Sequence, residues 1–243
     1  MRLFSLLMLC SLILSGQENT SRQIWGNLVL GSAHNDKVYL ELDIEPKTQT
    51  AGTLTWHNVD MTPLIEYYPN RWIDLTAEAV MGYTKDSLRI KTYEISPRIG
   101  VRFHILGNIR QYIPNDNILS FERFSFSTLI RYEYRNLYYD NGNAEHQSRF
   151  RVRIETKTAI NHKKYSEKNT FYLFADVEKY FNIGEDIHEL FHHKTRVRIG
   201  PGYTYDKKHR FELLFIYDYA YDTTYKERRH DATIIDFRYK LYF

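Results

Sequence analysis

Cysteine is almost absent. The only one among the 243 residues is Cys10. It falls in an N-terminal segment with the pattern of a secretory signal peptide: a basic start at Arg2, an apolar run from Leu3 to Leu14, and small residues at Ser15 and Gly16. Cleavage is expected after Gly16, leaving residues 17–243. That chain would have no disulfide and no thiolate for catalysis or metal ligation. Leu9 is bulky where a lipidation site would carry a small residue, so lipid attachment at Cys10 is not expected. A long apolar run is missing too. No stretch after residue 16 approaches the roughly 20 residues of a transmembrane helix. Charge of one sign is also lacking. The 33 basic and 30 acidic residues leave a formal charge of +3, which excludes a strongly electrostatic nucleic-acid binder. Gly-rich phosphate loops, EF-hand loops and dinucleotide fingerprints are not found, and no cofactor is expected.

Aromatic residues, in contrast, are abundant. There are 21 Tyr, 14 Phe and 3 Trp, 16% of the chain, beside a low mean hydropathy of -0.53. Apolar and polar residues alternate with a period of two. Near the end, Thr233, Ile235, Phe237, Tyr239, Leu241 and Phe243 share one face, and Ala232, Ile234, Asp236, Arg238, Lys240 and Tyr242 the other. Phe211 to Tyr221 and Arg149 to Thr158 behave likewise. Soluble strands average about 5 or 6 residues, whereas a tilted strand needs about 9 to 11 to cross a bilayer. Many of these segments are longer than either. The expected fold is all-β: an antiparallel up-and-down transmembrane β-barrel of about twelve strands, with ten as the alternative. The twelve are 23–31, 36–46, 51–58, 62–68, 71–83, 88–105, 120–138, 147–160, 169–181, 192–205, 208–222 and 232–243. An even count would put both ends in the periplasm. Residues 205–208 would then form a periplasmic turn, and 139–146 and 182–191 outer loops. The closing alternation through Tyr239, Leu241 and Phe243 resembles the C-terminal signal by which barrel-assembly machinery recognises bacterial outer-membrane proteins. Outer-membrane lipid and that machinery are the expected partners, and the chain is expected to act as a monomer.

With the apolar face toward lipid, the opposite face is charged. Acidic residues come early: Glu41, Asp43, Glu45, Glu66, Asp74, Glu78 and Glu94. Basic residues follow: Arg98, Arg102, Arg123, Arg131, Arg135, Arg149, Arg151, Arg153, Lys194, Arg196 and Arg198, with Asp176 and Glu178 between them. Two readings are open. The charges could neutralise one another and fill a narrow barrel, or they could line a water-filled, anion-favouring pore. A secreted soluble barrel would turn the same alternation inside out and bind a ligand within.

Two short motifs carry chemistry on paper. His188-Glu189-Leu190-Phe191-His192 matches H-E-x-x-H, in which two histidines one helical turn apart bind zinc. Here it lies in a short loop entering a strand, where the helix is not expected. His146-Gln147-Ser148 resembles the H-x-S portion of outer-membrane phospholipase A, barrel enzymes whose Ser and His face outward near the outer leaflet. Those enzymes follow the serine with Asn-Gly; here Arg149-Phe150 follow, and no Asn partner is evident from the sequence. A serine nucleophile needs a base within reach and a third group to orient that base. A lipid hydrolase using His146 and Ser148 is therefore the alternative to a minor channel or structural envelope protein.

Three stretches carry a family resemblance: Glu145 to Glu155 (EHQSRFRVRIE), Phe174 to Asn182 (FADVEKYFN) and Arg196 to Tyr205 (RVRIGPGYTY), with Trp25 near the N-terminus. They resemble an uncharacterised family of bacterial outer-membrane barrels, domain of unknown function 2490. The resemblance implies an outer-membrane barrel and carries over no catalytic residues.

Overall fold

The computed structural model describes residues 21–52, 55–88, 90–106, 123–183, 194–222 and 227–243, with only the backbone for 220–222 and 227–231. The expected signal peptide, the histidines at 188 and 192 and most of the segment 106–119 lie outside the described residues.

Eleven strands are described: β1 Ser21–Asn35, β2 Val38–Ala51, β3 Trp56–Asn70, β4 Ile73–Asp86, β5 Lys91–Leu106, β6 Phe124–Tyr139, β7 Ala144–Ala159, β8 Thr170–Ile183, β9 Lys194–Thr204, β10 His209–Asp222 and β11 Glu227–Tyr242. Each pairs antiparallel with its sequence neighbours, and β1 closes the barrel against β11. All are long enough to cross a bilayer tilted. The alternation decides which way each side chain points. Ile65, Leu75, Ile95, Ile99, Ile130, Ile154, Val177 and Phe237 are exposed on the outside, while Asp74, Ser96, Glu133, Glu178 and Asp236 are fully buried within. An apolar outside and a charged inside is the phase of a membrane wall, and opposite to that of a water-soluble barrel.

The count is eleven because the segments expected at 51–58 and 62–68 contribute a single strand, β3, which begins at Trp56, while Ala51 ends β2. The phase runs through the gap expected at 59–61: Val59, Met61, Ile65 and Tyr67 stay outside, and β2 pairs without interruption from Val38↔Tyr67 to Thr48↔His57. The proline costs only local pairing with β4, where the ladder lapses between Met61↔Met81 and Leu64↔Glu78 because Pro63 has no N–H to donate. The odd count makes β1 and β11 parallel, from Ser21↔Ala232 to Gly31↔Tyr242. Ser21 and Phe243 therefore lie at opposite rims, which corrects the expectation that both ends share one side. We call these the first and second rims.

Turns at the second rim share one device. Asn35 Oδ1 accepts the N–H groups of Lys37 and Val38 at 2.8 and 2.9 Å. Asn70 does so for Trp72 and Ile73 at 2.8 and 3.1 Å, and Asp206 for Lys208 and His209 at 2.8 and 2.7 Å. Such side chains replace a backbone turn bond, which is why Asn and Asp close these hairpins. At the first rim Gly142, with φ +85°, supplies the left-handed residue of the β6–β7 turn.

Candidate functional site

The interior is a lattice of ion pairs built strand by strand. Two fully buried acids are its nodes. Glu133 of β6 holds Arg98 of β5 at 2.5 Å, Arg149 of β7 by a short bond, and Arg151 at 3.6 Å. Glu178 of β8 takes two bonds from Arg151 at 3.0 and 2.8 Å, and has Arg198 of β9 at 3.4 Å and Arg131 of β6 at 3.5 Å. Arg131 also grips Glu78 of β4, so the network runs from β4 to β9. Around it, Asp176 takes Arg198 at 2.8 Å, Glu94 holds Arg135 through both oxygens at 3.0 and 3.1 Å, and Asp218 holds Arg196 at 2.8 and 2.9 Å with Lys194 at 2.9 Å. Arg153 and Lys157 flank Glu155 at 3.7 and 3.4 Å. A buried charge without a partner is expensive, and this arrangement gives these guanidinium groups one or more carboxylates.

The opposite wall is more acidic. Lys47 sits between Glu45 and Asp60 at 2.5 and 2.6 Å. Glu41 and Asp43 are held by neutral donors, the Tyr39 hydroxyl at 2.8 Å and the Asn27 amide at 3.2 Å. Toward the second rim, Arg102 meets Glu66 at 3.0 Å and Asp74 at 3.6 Å, and the buried His104 bonds Asp74 through Nε2 at 2.6 Å. Between the two walls lies a cavity of about 990 Å³, lined on one side by residues such as Glu41 and Asp43 and on the other by Arg131 and Arg153. Of the charged residues named from the sequence, Arg123 is the exception. It is exposed in the approach to β6, one residue before the alternation begins.

Part of the lumen is apolar, which the charge pattern conceals. Trp25, Tyr172, Phe174, Leu214, Ile216 and Ile234 form a buried cluster inside the barrel, joined by Tyr165. Tyr165 comes from the β7–β8 connection and is 6% exposed. Its carbonyl accepts the Thr204 hydroxyl at 2.7 Å, its ring packs 5.6 Å from that of Tyr172, and Lys157 and Arg210 lie over it. A connection between strands thus folds inward and fills the lumen toward the second rim. No periodicity in the sequence marks it, because Tyr165 lies outside the strands.

The outer wall carries the second motif. His146 is exposed and Ser148 half-buried, both on the outward face of β7 just inside the first rim. They stand across from β6 in the pairs Asn136↔His146 and Tyr134↔Ser148. Asn136 Oδ1 lies 2.8 Å from His146 Nδ1, while the Asn136 amide donates to the Ile95 carbonyl at 2.9 Å. The Ser148 hydroxyl lies 2.9 Å from that of Tyr132. The imidazole stacks parallel to the Tyr134 ring at 6.1 Å. The sequence does hold a signal for Asn136: a three-residue loop, Asp140-Asn141-Gly142, pairs residues whose numbers sum to 282, which sets Asn136 opposite His146.

Along β11, the Tyr239 hydroxyl meets His209 Nδ1 at 2.7 Å, and its ring lies 5.1 Å from that of Phe211. Leu241 pairs with Leu30 and His209. Phe243 is 71% exposed, and its N–H donates to Gly31 at 2.9 Å. Among the described residues no group of three or more His, Cys, Asp or Glu is placed to hold a metal.

The family described as protein of unknown function (DUF2490) matches residues 22–229. No curated protein matches the chain. Among solved structures, LpxR from Salmonella typhimurium is similar in fold, with a TM-score of 0.54 at 10% sequence identity, over 88% of this chain and 87% of that one.

Proposed function

We propose, from the premise that this chain belongs to the DUF2490 family, that it is a structural barrel of the bacterial outer membrane whose lumen is plugged by its own side chains. The observation that carries this reading is the pair of buried acids, Glu133 and Glu178, each gripped by arginines from neighbouring strands. A pore lined with mobile charges leaves them solvated. Here their counterions come from the barrel itself, and Tyr165 closes over the apolar part of the bore. Side chains fill much of the interior of a small barrel, and the cavity of about 990 Å³ left between the two walls is a chamber rather than a through-channel. The lattice also pins register, because a one-residue slip would turn every arginine toward lipid. The chain works as a monomer in contact with outer-membrane lipid, exported behind residues 1–16 and inserted by the barrel-assembly machinery through Tyr239, Leu241 and Phe243.

The test is conductance in planar bilayers. Purified protein is expected to give no steady stepwise current. A variant with Tyr165→Gly and Glu178→Ala together is expected to admit small ions. Regular open steps from the unaltered protein would overturn the plugged lumen in favour of a channel.

A further inference from the structure

We propose that the outer wall of β6 and β7 holds a serine hydrolase site for acyl esters of membrane lipids, made of Ser148, His146, Asn136 and Tyr132. It lies on the opposite side of the wall from the ion-pair lattice and is independent of whether the lumen conducts.

The site has the parts that ester cleavage requires. An imidazole serves as a base only when its ring is held with one nitrogen toward the nucleophile. Asn136 holds it: its Oδ1 takes the Nδ1–H at 2.8 Å, and its own amide is fixed to the Ile95 carbonyl at 2.9 Å. This fixes the tautomer with Nε2 unprotonated, and Nε2 meets no partner among the described residues. Ser148 is two residues along the same strand and on the same face, its Cα about 7 Å from that of His146. The strand register places Ser148 between two groups, His146 toward the rim and Tyr132 away from it, as the pairs Asn136↔His146, Tyr134↔Ser148 and Tyr132↔Phe150 show. At rest it bonds Tyr132 at 2.9 Å. To reach the imidazole the hydroxyl has to leave Tyr132 for another staggered χ1 well, which would leave the Tyr132 hydroxyl as a donor beside the nucleophile.

Place and substrate follow from exposure. The surroundings on this face are Tyr134, Phe150, Ile154 and Phe181, all exposed to lipid. Ser148 lies four residues into β7 from its start at Ala144, about 13 Å along a tilted strand, or roughly 10 Å below the rim at a tilt near 40°. Ester carbonyls of membrane lipids lie at such depths, at the boundary of headgroup and acyl chain. A nucleophile there meets esters in the plane of the membrane and no soluble substrate.

In the first step the Ser148 oxygen bonds to the ester carbonyl carbon while its proton passes to His146 Nε2. The Tyr132 hydroxyl donates to the developing oxyanion. The bond to the lipid alcohol breaks, and that oxygen takes the proton from His146. Water then attacks the acyl-serine, gives its proton to His146, and releases a fatty acid with the serine restored. The net reaction is ester plus water to acid plus alcohol.

The experiment uses the detergent-solubilised full protein with a fluorogenic phospholipid in mixed micelles, together with a long-chain alkyl fluorophosphonate whose adduct is mapped by mass spectrometry. Folding of every variant is checked by the heated-against-unheated gel shift. Hydrolysis and an adduct on Ser148 are expected. Ser148→Ala and His146→Ala should each lose about 100-fold or more of the rate. Asn136→Ala should lower kcat with KM unchanged, and Asn136→Asp should restore it, which a merely structural loss would not do. Hydrolysis that survives Ser148→Ala would overturn the site, as would a folded wild-type protein that neither hydrolyses the lipid nor takes the label.

Discussion

Glu178 shows how much a single buried carboxylate can be asked to do. It has no exposed side-chain surface, and Arg131, Arg151 and Arg198 all converge on it. Replacing it with alanine takes a carboxylate from three buried guanidinium groups at once and leaves Arg131 to Glu78, Arg198 to Asp176 and Arg151 to Glu133 at 3.6 Å. Breaking a buried pair in this way costs about 3–5 kcal/mol. Glu178→Ala is therefore expected to lower the denaturant midpoint of the folded barrel sharply, and Glu178→Gln less, because the amide still accepts from Arg151. Gly202 makes a steric counterpart. A Cβ there would lie 2.2 Å from the Tyr172 ring, and that ring is pinned by its hydroxyl on Glu212 at 2.7 Å. Gly202→Ala should destabilise by about 1–3 kcal/mol through overpacking, measured by the same denaturation. At this scale the sequence was only partly legible. Alternation separates charged from apolar residues, but which arginine meets which carboxylate depends on register across strands far apart in the chain. Arg131 and Glu178 are brought together through β7, and no local pattern announces that contact.

Strands were the most legible elements, because a half-buried wall repeats its signature every two residues. Their limits were harder. The gap expected at 59–61 is not there, and Pro63, which cannot donate to a ladder, costs only a few pairs with β4 while all those with β2 are kept. Phase continuity across the proline was the better guide. The outward phase makes a depth-dependent prediction for β5. Ile99 lies mid-strand and is 62% exposed, while Ile90 lies at the first rim. A lysine at the middle of a bilayer costs about 2–4 kcal/mol and one near the interface about 0–1. Ile99→Lys should thus impair folding into lipid vesicles far more than Ile90→Lys. Equal effects from the two would mean that this face is not in contact with lipid.

At the scale of the whole molecule the strand count fixes the sidedness of everything else. With eleven strands the start of β1, the β6–β7 turn and the end of β10 share the first rim, while the β9–β10 turn and Phe243 share the second. The sequence could not give this arrangement, since merging two short segments into one changes no local pattern but reverses every strand before the merger relative to the chain's end. Reporter positions can read it out, because Cys10 is the only cysteine in the chain and falls in the expected signal peptide. Arg22→Cys, Asn141→Cys and Lys207→Cys place single thiols at the start of β1, in the β6–β7 turn and in the β9–β10 turn. With the end of β11 in the periplasm, a membrane-impermeant maleimide added to intact cells should label the cysteines at 22 and 141 and leave the one at 207 untouched until the cells are opened. In a twelve-stranded barrel with both ends in the periplasm, the cysteine at 22 would instead behave like the one at 207. Labelling at 141 also decides whether Ser148 lies in the outer leaflet, since it stands four residues inside the strand that leaves that turn.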